Sequence, residues 1–303
     1  MSNDQILQRF YEHLRVKGYS PLTIQGYQFK MARFLSYLEA RRLEIVKLTP
    51  ADLEGYRMNL YYQEHRGAPL SLATQAGCIS KIKVLFQYLA KENLILTDPA
   101  ASLELPKLPR GLPKNILSAR EIKKILNSVD TSAPLGLRDR AILETLYSSG
   151  IRVSELAQLK ITDLDLGQGL ITVIHGKGDK SRVTPIGKIA CQYLREYIQT
   201  ARPKDPNQPI LFLSCRGLPL AERNIQGICE SRATQAGVKK HVSPHTFRHS
   251  CATEMLRNGV DIRYIQELLG HESLRTTQVY TKVAIKDLKK VHAKCHPREK
   301  DLL

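Results

Sequence analysis

Apolar residues recur at three- and four-residue steps from the start of the chain to about residue 95, the spacing that lays one buried stripe along a helix. Ile24, Tyr27, Met31, Phe34 and Leu38 form one stripe, and Ile79, Ile82, Leu85, Phe86 and Leu89 another. Helix starts punctuate them. Ser20 before Pro21 reads as an N-cap with proline in the first helical position, and Thr49-Pro50 with Asp52 repeats the signal. The pattern predicts a helical N-terminal unit of four helices over residues 1–107. Between about residues 99 and 114 Pro99, Pro106, Pro109 and Pro113 fall in a stretch with neither helical nor strand period, the composition of a linker.

The second unit, 115–303, opens with Ser118-x-x-Glu121, a capping box for AREIKKILNSV, and continues in LRDRAILETLYSSG, which Gly150 ends. The period then changes. Between Lys160 and Ile186 the apolar residues Ile161, Leu164, Leu166, Ile171, Val173, Val183 and Ile186 alternate around Gly167, Gly169, Gly176 and Gly178, predicting a small antiparallel sheet. Helices return from Ala221, with turns at Gly237, Gly259 and Gly270. The fold class is therefore mainly α with a small antiparallel β-sheet, in two domains.

Charge adds a partner to this picture. The chain has 303 residues, 46 Lys plus Arg against 29 Asp plus Glu, and a net charge of +17. Such an excess points to a polyanion. Residues 1–107 carry 14 cationic against 10 acidic side chains, and residues 108–303 carry 32 against 19, so both units can face the same partner. In the first unit Arg41, Arg42, Lys47, Lys81 and Lys83 are candidates for phosphate contact and equally ordinary solvated positions. The six cysteines include no CxxC pair, which argues against a zinc ribbon or a disulfide framework and fits a reduced cytoplasm. No apolar run approaches the roughly 18 residues of a membrane helix, and MSNDQILQRF lacks the pattern of an export signal. The expected location is cytoplasmic, with no membrane partner.

Candidate chemistry lies in SGIRVSEL (Arg152), HGKGDKSR (Lys177), SPHTFRHS (His245, Arg248), LLGHES (His271) and TQVYTKV (Tyr280). Each segment alone is weak, because a lone arginine usually serves a structural ion pair and most of 13 tyrosines are core or surface residues. Together they form a set suited to phosphoryl transfer, which needs a nucleophile and well-placed donors around a charged phosphorus centre. Arg152 and Arg248 offer planar forks that match phosphate oxygens, and His271 a further donor. His245 and Arg248 lie three apart, so a helix starting at Ser243-Pro244 would carry both on one face. Tyrosine, with a pKa near about 10, needs a base and nearby positive charge to act as a nucleophile. Lys177, between glycines at a hairpin tip, suits a general acid for the departing sugar oxygen. Glu155, one turn after Arg152, is placed to hold its guanidinium or to form an ordinary surface pair.

Other motifs fail on spacing or charge. GKGDKS lacks the G-x-x-x-x-G-K-[ST] of a nucleotide loop. His245 and His249 have zinc-hydrolase spacing, but Thr246 stands where the glutamate of H-E-x-x-H belongs. His292, Cys295 and His296 in HAKCH offer adventitious metal ligands, or one side of a packed tail helix. No acidic cluster suits a pair of magnesium ions.

The ordered set GIRVSEL, GKGDKSR, HTFRHSCAT, LLGH and the tyrosine of VYTKV, nine residues after His271, resembles the tyrosine recombinase (lambda integrase) family. The resemblance covers essentially the whole chain, and the closing KVHAKCHPRE is similar to the tail of bacterial Xer-type recombinases. It implies a SAM-like core-binding domain at 1–107 and a DNA breaking-rejoining domain at 115–303. Arg152, Lys177, His245, Arg248, His271 and Tyr280 then match the family's catalytic set, with Tyr280 forming a 3′-phosphotyrosyl bond. It further implies two rounds of strand exchange through a Holliday junction, without metal, ATP or other cofactor. The implied partners are duplex DNA bearing a specific site, a homo-tetramer or a hetero-tetramer with a second recombinase, and a host activating factor. Ile285, Leu288 and Val291 would lie on a tail helix that docks into a neighbouring subunit. Two other readings stay open: a type IB topoisomerase-like nicking and resealing enzyme, and a non-catalytic DNA-binding regulator.

Overall fold

The computed structural model describes residues 1–65, 67–107, 116–174, 181–270, 292 and 294–297. They fall into two compact units, Met1–Gly111 and Leu112–Leu303, each with its own apolar core.

The first unit contains α1 (Asn3–Val16), α2 (Pro21–Arg41), α3 (Pro50–Tyr62) and α4 (Leu72–Lys91), with a two-residue hairpin β1 (Glu64–His65) and β2 (Ala68–Pro69) between the last two. The helices begin where side chains satisfy their first free N–H groups. Ser2, Ser20, Thr49 and Ser71 accept from the backbone three residues on, and Asp52 returns a bond to the Thr49 N–H at 2.9 Å. Both predicted stripes are buried: Ile24, Tyr27, Met31, Phe34 and Leu38 meet Ile79, Ile82, Leu85, Phe86 and Leu89 in one core. Several of the candidate cations have internal tasks. Lys83 Nζ donates to the carbonyls of Ala101 and Leu103 at 2.9 and 2.8 Å, Lys47 pairs with Glu44, and Arg41 and Lys81 lie over the rings of Tyr37 and Tyr27.

The second unit is built around α6 (Pro134–Ser149), which is buried on all sides from Asp139 to its end. Against it pack α5 (Ala119–Asn127), α8 (Lys188–Glu196), α9 (Glu222–Gln235) and α10 (Pro244–Arg257). Short α7 (Val153–Gln158) follows α6, and α11 (Ile262–Leu269) follows α10. A helix so enclosed must neutralise its own charges, and Arg140 Nε donates to Glu144 at 2.9 Å within it. The sheet is antiparallel, in the order β3 (Leu164–Asp165), β4 (Leu170–Val173), β5 (Arg182–Pro185).

Two details depart from the alternation read in the sequence. Ile161 belongs to a 3₁₀ turn, Ile161–Asp163, because the Asp163 carboxylate takes the Lys160 N–H at 2.9 Å and curls the chain. In β5 the inward residues are Arg182 and Thr184 rather than Val183. They stand opposite Val173 and Ile171, and directly opposed residues share a face.

All six cysteines are free thiols. Among the described residues no helix is long and apolar enough to cross a membrane, and no group of His, Cys, Asp or Glu is arranged to hold a metal ion. His292 and His296 are buried against the last turn of α6. Their Nε2–H groups donate to the carbonyls of Ser148 and Tyr147 at 2.6 and 3.0 Å, and their rings stack at 4.6 Å. Asn258 fastens the same segment through the Cys295 carbonyl at 2.7 Å. This is the packed-tail alternative for HAKCH. The positions Ile285, Leu288 and Val291 lie outside the described residues.

Candidate active site

Three chain segments meet where α6 gives way to α7. Gly150 ends α6 in the left-handed conformation, φ +61°, and turns the chain so that Arg152 becomes the N-cap residue of α7. Glu155, in the third position of that helix, accepts the Arg152 N–H at 2.8 Å, and its other oxygen takes Arg152 Nη1 at 3.0 Å. One carboxylate thus fixes both ends of the arginine. Glu155 is 6 % exposed at the side chain, so the surface-pair reading does not apply.

Arg248 arrives from α10, whose start is set by Ser243 as cap and Pro244 in the first turn. It is 9 % exposed. Its Nη1 donates to the Gly150 carbonyl at 2.5 Å and its Nη2 to the Leu269 carbonyl at 2.7 Å. The third segment is the end of α11, where Gly270 at φ +62° leaves the last carbonyls unused by the helix. Arg152 Nη2 takes the Gly270 carbonyl at 2.8 Å, next to the one that holds Arg248. Two guanidiniums are thereby brought to adjacent carbonyls of one helix end.

Among the described residues both lie near one carboxylate, that of Glu155. A third guanidinium, Arg182, donates to both Glu155 oxygens at 2.8 Å each, so Arg152 and Arg182 share one carboxylate, with Arg248 near enough to feel its charge. Burial works to raise the Glu155 pKa, but the bonds from Arg182 and Arg152 outweigh it and hold the group at about 2. Burial, reinforced by Arg152 and Arg182, pushes Arg248 down to about 10. Excess positive charge kept partly out of water costs free energy that an arriving anion offsets. Each of Arg152 and Arg248 commits two of its five N–H donors, leaving others to meet phosphate oxygens.

Of the six residues singled out in the sequence, Arg152 and Arg248 come together in this way. His245 is exposed in the first turn of α10, three residues before the buried Arg248 on the same helix. Lys177, His271 and Tyr280 lie outside the described residues. Arg182 was not singled out. The signal was available in the register, since an arginine on the inward face of a strand requires a buried carboxylate.

Comparison with known proteins agrees with this architecture. Residues 115–286 match the phage integrase family and residues 6–96 its N-terminal SAM-like domain. A tyrosine recombinase XerC 2 of Ralstonia nicotianae is 41% identical over 295 residues, covering 96% of this chain and 85% of the relative. A tyrosine recombinase XerD of Listeria monocytogenes serotype 4b is 40% identical over 288 residues, covering 93% and 95%. Among solved structures, XerH site-specific recombinase bound to a palindromic difH substrate superposes with a TM-score of 0.71 over 99% of this chain and 83% of that one. At 23% identity it speaks to the fold. The chain belongs to the phage integrase family of tyrosine recombinases.

Proposed function

We propose that this protein recombines DNA at a specific site, cutting and rejoining strands through a phosphotyrosyl intermediate in which Tyr280 is the nucleophile. The observation that carries the reading is the pair of guanidiniums, Arg152 and Arg248, fastened to the neighbouring carbonyls of Gly270 and Leu269 beside the Glu155 carboxylate that Arg152 shares with Arg182. Such a pair suits the equatorial oxygens of a phosphodiester passing through a five-coordinate state, and planar forks do this better than ammonium groups. In this reading His245 accepts the phenol proton, His271 adds a donor to the phosphate and Lys177 protonates the departing 5′ oxygen. The tyrosine retains the energy of the broken bond as a 3′-phosphotyrosyl linkage, and a 5′-hydroxyl from the partner strand reverses the step.

Residues 1–107 serve as the core-binding domain and 115–303 as the catalytic domain, joined by the proline-rich linker at about 99–114. The chain acts on two duplexes as a tetramer, alone or with a second recombinase, and exchanges strands in two rounds through a Holliday junction. Its role in this reading is to resolve chromosome or plasmid multimers, or to serve a mobile element, in the cytoplasm, on nucleoid DNA and under a host activating factor.

The test begins by selecting bound sequences from random duplexes, then nicking the selected site so that cleavage releases a short fragment and traps the adduct. Wild-type protein should form a covalent complex and join strands between two duplexes, while Tyr280→Phe should form none. Covalent trapping without joining would favour a topoisomerase-like enzyme, and binding without trapping a regulator. Affinity for the selected site should fall steeply with added salt, because each phosphate contact releases counterions.

A further inference from the structure

We propose that Arg182 is a positioning residue for the phosphate clamp, holding Glu155 and Gly270 so that the Arg152 guanidinium stays aimed and its charge stays available. The proposal rests on the reading above, in which Arg152 meets the scissile phosphate.

Arg182 opens β5 and points inward opposite Val173, with its side chain 13 % exposed. Its two Nη groups take the two Glu155 oxygens at 2.8 Å each, a fork-on-fork pair that permits the carboxylate one orientation. In that orientation Glu155 receives both the backbone N–H and the Nη1 of Arg152. Gly270 is the other anchor of Arg152, and Arg182 lies against it. A methyl group added at Gly270 would sit 3.0 Å from the Cδ, Nε and Cζ of Arg182. Arg182 therefore touches both residues that hold Arg152.

Charge makes the same point. An arginine paired with a carboxylate of its own presents a dipole, whereas among the described residues Arg152 and Arg182 share the Glu155 carboxylate and Arg248 lies near enough to feel its charge. Without the fork of Arg182 more of the carboxylate's charge would fall on Arg152 and cancel part of the field meant for the phosphate. The strand that Arg182 opens also follows the segment bearing Lys177, which gives a rival route for any effect of this residue on cleavage.

The experiment compares single-turnover cleavage of two nicked duplexes of the selected sequence. One carries the ordinary phosphodiester, the other a methylphosphonate in which a neutral methyl replaces one charged oxygen, so that less charge needs stabilising. On the phosphodiester, Arg182→Gln should slow cleavage about tenfold to a hundredfold, the usual scale for removing the support of a charged site residue, with binding affinity changed by less than about threefold. On the methylphosphonate the same variant should lag wild type by less than about threefold. Arg182→Lys, which keeps the charge and loses the fork, should recover part of the rate, and it carries the same comparison if circular dichroism shows that Arg182→Gln does not fold.

An equal slowing on both duplexes would reduce Arg182 to a structural residue and overturn the proposal. So would restoration of the Arg182→Gln rate by a sulfur in place of the departing 5′ oxygen, since a thiolate leaves without a proton and rescue would trace the defect to the general acid. Arg152→Ala is the control. If it cleaved the phosphodiester at the wild-type rate, the clamp reading itself would fall, whatever Arg182 did.

Discussion

Two buried arginine clusters lie along the same helix, one inside it and one just past its end, and they are built on opposite principles. Within α6, Arg140 pairs with Glu144, donates to the Leu126 carbonyl and lies over the Tyr193 ring, with both charged side chains under a tenth exposed. Just past its end, Arg152, Arg182 and Arg248 gather near the carboxylate of Glu155, the one carboxylate the described residues bring to them. A matched pair satisfies itself and stabilises nothing beyond the fold, while a surplus of buried positive charge is completed only by an anion. Burial and hydrogen bonding alone do not separate a structural arginine from a functional one. The charge balance around it does.

The largest effects should divide along that line. Arg140→Ala strips the guanidinium from a carboxylate that is wholly buried, and should cost about 3–5 kcal/mol in urea unfolding while each folded molecule cleaves DNA at the normal rate. Arg248→Ala should slow cleavage by at least about a hundredfold with site binding nearly unchanged, the scale of losing one donor to a developing charge. Equal slowing by the two variants would erase the distinction between the clusters.

How far the sequence made these clusters legible follows from the range of the forces involved. Helix starts were readable because a cap is settled within four residues: Ser20-Pro21, Thr49-Pro50-Asp52 and Ser118-Glu121 all cap as their spacing predicts. Arg152 and Arg248 were readable as a chemical type, and so was the helix that carries His245 and Arg248. Their meeting point was not, because it depends on the carbonyls of Gly150, Leu269 and Gly270, backbone groups that no side-chain pattern encodes. Arg182 was missed for a related reason. Alternation counted Val183 as the inward residue, and only the pairing of Val173 with Arg182 shows that a charged residue holds that face.

Acid separates a second pair of regions, the clamp and the docked tail. Burial pushes His292 down to about 4, the bond to the Ser148 carbonyl offsetting part of the effect. An unfolded histidine takes up its proton near about pH 6.5, so the docked tail is fully supported above that value and loses support as the pH falls toward 4. Glu155, held at about 2, keeps its contribution until the pH drops below the ordinary carboxylate range of about 4.5 and loses it toward 2. Hydrogen exchange followed by mass spectrometry, corrected for the intrinsic pH dependence, should therefore show the amides of 294–297 opening between pH 6.5 and 4 while those at the start of α7 remain protected. Simultaneous opening would mean that tail and clamp form one cooperative unit.

The smallest effect gives the finest comparison, between two glycines in the same backbone state. Gly259 and Gly270 both follow helices at positive φ, +81° and +62°, so alanine at either should cost about 1–2 kcal/mol of strain. Around Gly259 an added methyl meets nothing within 4 Å, whereas at Gly270 it presses on three atoms of Arg182. Thermal unfolding should accordingly place the two variants close together. Cleavage should tell them apart: Gly259→Ala should keep the wild-type rate, and Gly270→Ala should lose up to about tenfold as the methyl displaces Arg182 and, through Glu155, the guanidinium of Arg152. If both variants cleave alike, contact with Arg182 has no bearing on the clamp, and the strain of the turn is all that Gly270 relieves.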